Sequence, residues 1–199
     1  MLFAQRHSCL QRAREIPLDV IIRQYGHALG QLASWLLVIA VVWLFVTLWR
    51  ARRGGWKRAI TTSLPEAILG GGLAAIYALT VMPLATYLVG SAPNPLPPNL
   101  LPIVPMLTQY LGEQPDWILA NLGMNIALYV PVGLGLAWRF GLRVRTVVLI
   151  GLLVTVAAET SQAFAPGRTS DVNDVLLNTL GAFVGALAGR RLARIPRPG

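Results

Sequence analysis

The chain alternates long apolar blocks with short polar gaps. A helix that crosses a bilayer needs about 20 mostly apolar residues. Five blocks meet or approach that length: 32–49, 64–89, 117–140, 144–164 and 172–192. No strand-like alternation competes with them, and no internal repeat is evident. Pro83 predicts a kink near the outer end of the second block, and Pro131 falls inside the third. The expected fold class is all-α, an integral membrane bundle of about five transmembrane helices.

Composition points the same way. Apolar residues make up 55% of the chain and charged residues 13%, about half the charged share of a typical soluble domain. So few charges cannot cover a water-facing surface. The 17 basic residues outnumber the 8 acidic ones, for a net charge of +9. Such a balance can signal nucleic acid. Here the basic residues sit between apolar blocks, and no zinc-finger, helix-turn-helix or RNA-binding motif accompanies them, so nucleic acid is not an expected partner. The placement fits membrane topology and contact with anionic headgroups. Cys9 is the single cysteine, which excludes an intrachain disulfide and a cysteine metal site. His7 and His27 show no metal-ligand spacing, and no cofactor or metal is expected.

Charge also orients the bundle. The gap after the first block carries Arg50, Arg52, Arg53, Lys57 and Arg58; Arg139, Arg143 and Arg145 flank the third gap; Arg190, Arg191, Arg194 and Arg197 close the chain. The segment 90–116 has no Lys or Arg, and the gap after the fourth block has only Arg168. By the positive-inside rule the C-terminus is cytoplasmic. Residues 1–31 resist this scheme: five spans place them outside, yet they carry Arg6, Arg12, Arg14 and Arg23. A membrane-surface segment, a later start codon and a re-entrant span all remain open. The first block lies too far in, and is too long, for a cleaved signal peptide, so it reads as a retained span.

The outer segment 90–116 holds seven of the fourteen prolines: Pro93, Pro95, Pro97, Pro98, Pro102, Pro105 and Pro115. It predicts a stiff, extended strap that folds into the headgroup region or packs on the bundle.

Polar residues inside spans are costly and are the first place to look for function. The fourth block ends with Glu159, Thr160, Ser161 and Gln162; the fifth opens with Asp171, Asn173, Asp174 and Asn178; Asn121 and Asn125 stand one turn apart on the third. At 1.5 Å per residue, Glu159 lies about 7.5 Å, Asn178 about 10 Å and Asn125 about 12 Å below the outer end of its helix. Asp171, Asp174 and Asn178 share one helical face. The group could line an outward-opening polar pocket. The plainer readings are capping of the fifth helix by Asp171 or Asp174, helix glue by Asn125 and Asn178, and a Glu159–Arg168 salt bridge. Gly181, Gly185 and Gly189 form a small-residue stripe for close helix packing. Ser63, Pro65 and Glu66 match a capping box at a helix start. Tyr110, Trp117 and Trp138 suit aromatic belts.

The run ETSQAFAPGRTSDVNDVLLNTLGAFVG resembles the signature of VanZ-like membrane proteins, with the matching positions at Glu159, Gln162, Arg168, Asp171, Asp174, Asn178, Gly181 and Gly185. Asn99 and Pro102 in NLLPI, and Asn125, Pro131 and Gly133 in NIALYVPVG, are similar to its upstream elements. Ile103 and Tyr129 depart from it, standing where the family has Phe. The resemblance covers about residues 95–190. It implies a bacterial envelope protein of the inner (cytoplasmic) membrane, in a family associated with resistance to the glycopeptide teicoplanin; it implies no reaction. The expected organisation is a basic segment over 1–31, two helices over 32–93, a VanZ-like transmembrane domain over 94–192 and a basic tail over 193–199.

Three functions follow. The first is binding of an anionic lipid or lipid-linked cell-wall precursor: Arg168 pairs with phosphate, Glu159, Asp171 and Asp174 accept hydrogen bonds or hold a bridging divalent cation, and Asn99, Asn125, Gln162 and Asn178 orient the headgroup. The second is an enzyme on a lipid-linked substrate, with Glu159 as general base and Asp174 as metal ligand, although no established catalytic motif is present. The third is a structural subunit whose glycine stripe serves a partner helix.

Overall fold

The computed structural model describes residues 18–81, 97–103, 115–164 and 169–194. Five helices carry most of them: α1 (Leu18–Gly54), α2 (Trp56–Ile76), α3 (Pro115–Phe140), α4 (Val144–Ala163) and α5 (Val172–Ala193). Each contains a stretch long and apolar enough to cross a membrane. No strand occurs among the described residues, and the chain is an all-α, multi-pass membrane protein. Pro83, Tyr110, three of the seven strap prolines (Pro93, Pro95 and Pro105) and the side chain of Trp117 lie outside what is described.

The last three helices keep close to the bounds of their apolar blocks. The first two differ. No proline interrupts the chain between Pro17 and Pro65, and α1 runs unbroken through residues 18–31 into the first span. α2 begins at Trp56, one residue after α1 ends; Gly55 makes the turn with φ 83°, a conformation natural only to glycine. Thr61 and Thr62 look like a polar gap, but their hydroxyls donate to carbonyls one turn back in α2, so their polarity is absorbed within the helix.

The capping box expected at Ser63–Glu66 is therefore corrected. Pro65 lies inside α2, and Glu66 instead joins three helices. It accepts from Arg50 of α1 at 2.8 and 3.2 Å and from Arg139 Nε of α3 at 2.6 Å. Arg50 also donates to the buried Ser63 hydroxyl at 2.9 Å.

α3 is the central element, with α2 on one side and α5 on the other, while α4 packs on α5 and α1 on α2. Tyr129, Val132, Ile76 and Ala182 form one buried cluster; Ala137, Val147 and Ala186 form another. α3 and α5 run parallel and meet backbone to backbone. Gly181, Gly185 and Gly189 face the carbonyls of Ile126, Val130 and Leu134, so each four-residue step on α5 meets the same step on α3. Gly133 faces the backbone of Ala182 in return. The partner of the glycine stripe is thus the chain's own α3, which removes the stripe from any surface open to another protein.

From Gly30 onward, most side chains of α1 are turned away from the protein. Leu37, Val41 and Phe45 are among its exposed apolar side chains, as suits a helix bathed in lipid.

Candidate functional site

Asp171 begins α5 as its N-cap, with extended backbone (φ −125°, ψ 123°) and Oδ1 accepting from the Asn173 N–H at 2.8 Å. The capping role expected for Asp171 is present, and the side chain does more. Oδ1 also accepts from the Asn173 amide at 2.9 Å, and Oδ2 accepts from Asn99 Nδ2 at 3.0 Å.

Asn99 belongs to the strap. Its N–H donates to the Ser170 carbonyl at 2.8 Å, and its own carbonyl accepts from the Val172 N–H at 3.1 Å. These two bonds make a parallel bridge between residues 99 and 171. Farther along, the Ile103 N–H donates to Asn173 Oδ1 at 2.8 Å. Ile103 has φ 65°, an outlier for a β-branched residue. The described part of the strap, 97–103, is thus pinned to the mouth of α5 at both ends.

Glu159 approaches from α4. It is 4% exposed, and its Oε2 accepts from the Asp171 N–H at 2.9 Å. The carboxylate so satisfies a backbone donor at the entry to α5, where negative charge is favoured. Gln162 is buried on α4, three residues further on. α3 contributes Asn125, whose amide donates to Asp174 Oδ1 at 2.6 Å. Asn121 is exposed, so the expected pairing of both α3 asparagines reduces to Asn125 alone.

Deeper in the bundle Asn178 donates to Thr155 Oγ1 at 2.8 Å. The buried Tyr129 hydroxyl lies near Thr155, Glu159 and Asp174, and Asn178 Oδ1 is buried with no hydrogen-bond partner among the described residues. The helix-glue role expected for Asn178 therefore has a definite partner in α4. Arg168 lies outside the described residues. Among those described, no group of three His, Cys, Asp or Glu side chains is placed to hold a metal ion.

Asn173 is the residue whose part exceeds its sequence signal. It reads as one more polar residue in an opening turn, yet it ties the strap to the cap. Thr155 stands one turn before Glu159, which is the only hint of its place; Tyr129 has none, because its ring belongs to the apolar core.

The site thus joins α3, α4, α5 and the strap at one end of the bundle through carboxylates and amides. No curated protein and no solved structure matches the chain. A family model, described as VanZ/LLP1, matches residues 34–193, which takes in all five candidate spans but the first four residues of the first. The chain belongs to the VanZ/LLP1 family.

Proposed function

We propose that this is a bacterial envelope protein of the cytoplasmic membrane whose site faces outward and binds the headgroup of an anionic lipid or lipid-linked cell-wall precursor. The observation that carries the reading is the convergence of Glu159, Asp171 and Asp174 with Asn99, Asn125 and Asn173 beneath the strap. Carboxylates and amides ordered in a poorly solvated place suit the hydroxyl and ammonium donors of a headgroup. Arg168, three residues before Asp171 in the chain, supplies the counter-charge for its phosphate. The orientation rests on charge: the α1–α2 turn, the α3–α4 turn and the end of α5, which hold Arg50–Arg58, Arg139–Arg145 and Arg190–Arg194, all lie at the opposite end of the bundle, and such ends face the cytoplasm. A part in glycopeptide resistance is an extension of this reading.

Native mass spectrometry of gently extracted protein tests it, with wild type beside Glu159→Gln and Asn99→Ala. The expected result is an anionic lipid or prenyl-linked species on the wild type that both variants lose while staying folded. The same lipid complement on all three proteins would overturn the proposal.

A further inference from the structure

The end of the bundle opposite the strap carries an open surface cavity of about 370 Å³. Its walls include Trp49, Arg50 and Arg53 of α1, Arg58 and Thr62 of α2, and Arg139 of α3. In the sequence these arginines are a topology signal and a general match to anionic headgroups. The fold turns them toward one space.

Their charges do not balance. Arg50 and Arg139 share the Glu66 carboxylate. Arg53 lies over the Trp49 ring at 4.2 Å, which fixes its guanidinium in place without neutralising it. Arg58 and Arg53 have no ion pair among the described residues. Four guanidiniums against one carboxylate leave a surplus of three positive charges around the cavity. A concave surface of one sign concentrates the opposite ion, and the planar guanidinium fork matches phosphate oxygens two at a time.

Position narrows the source of that anion. Trp49 and Trp56 are exposed on either side of the Gly55 turn, and tryptophan in a membrane protein marks the headgroup level. The apolar side chains of α1 next to them, such as Phe45 and Val41, are exposed, as suits contact with acyl chains.

We propose that this cavity is a phosphate site that takes the headgroup phosphate of an anionic lipid from the leaflet at the basic end. Arg53 and Arg58 contact the phosphate. Arg50 and Arg139, held by Glu66, form the back wall. The site is separate from the strap site and does not depend on its reading.

The test uses the whole protein in a neutral detergent, with dioctanoyl phosphatidylglycerol, dioctanoyl phosphatidylcholine and inorganic phosphate as probes and binding read by native mass spectrometry. Arg53→Gln with Arg58→Gln removes the proposed contacts and leaves the Glu66 bridges intact. Arg52→Gln with Lys57→Gln removes the same charge from the same turn but outside the cavity. Phosphatidylglycerol is expected to bind about tenfold more tightly than phosphatidylcholine, and the first double variant to lose about that factor. The second double variant should bind like wild type. Competition by inorganic phosphate at the lipid's own concentration would keep the phosphate site and assign it to a free anion. Equal binding of the two lipids, or equal losses in the two double variants, would overturn the proposal.

Discussion

Gly185→Ala offers the sharpest test of how this bundle is held together. A Cβ at Gly185 would run into the Val130 carbonyl oxygen and would lie 2.8 Å from the Leu134 nitrogen and 3.0 Å from the Val130 carbonyl carbon. Carbon–oxygen contacts between neighbouring helices normally sit near 3.3–3.6 Å. The obstacle is backbone in the middle of a helix, so no rotamer change can clear it. α3 and α5 must separate by about 1 Å, and the contacts at Gly181 and Gly189 loosen with them. Overpacking of this kind costs about 1–3 kcal/mol; the better helix propensity of alanine returns about 1 kcal/mol or less. Gly123→Ala is the control, because nothing lies within 4 Å of its Cβ position; it collects the propensity gain alone. The two alanine variants should therefore differ by about 2 kcal/mol, with Gly185→Ala the weaker, in denaturant unfolding of the detergent-solubilised protein followed by circular dichroism. Equal stability of the two would refute the backbone-contact argument.

Three further outcomes follow from the polar network. Thr155→Val strands the amide of Asn178 and should cost about 1–3 kcal/mol, whereas adding Asn178→Leu should recover much of that loss in the same unfolding assay. Asn173→Ala removes the acceptor of the Ile103 N–H and should speed hydrogen exchange across 97–103, with little change in the α3–α5 core. Glu66→Gln weakens both arginine bridges, whose side chains are about one-third exposed; the loss should be about 1 kcal/mol in low salt and shrink as ionic strength rises.

The helices were easier to read than their meetings. α3, α4 and α5 stand out because basic residues and the Asp171 cap bracket them in sequence. α2 hides its first turns, since Thr61, Thr62 and Ser63 count as polar by composition but find partners locally or, for Ser63, in Arg50. Glu66 misleads for a related reason: its neighbours imitate a helix start, while its true partners stand 16 and 73 residues away. The site shows the same limit. Periodicity places Asp171, Asp174 and Asn178 on one face, but spacing carries no information about Asn99 meeting Asp171 across 72 residues or Asn125 meeting Asp174 across 49. The glycine stripe announces a close helix neighbour without saying which one.

That neighbour has a consequence for how the protein is made. α3 and α5 pair in parallel, so the chain must leave α3, turn, cross back as α4 and turn again before α5 can fill the groove. A ribosome therefore delivers α3 well before its closest mate exists. During that interval the carbonyl-lined face over Ile126, Val130 and Leu134 waits in lipid or against the insertion machinery. Release of a chain interrupted within α4 would leave that groove open. Quality control in the membrane thus has a clear mark by which to tell a finished copy from a broken one.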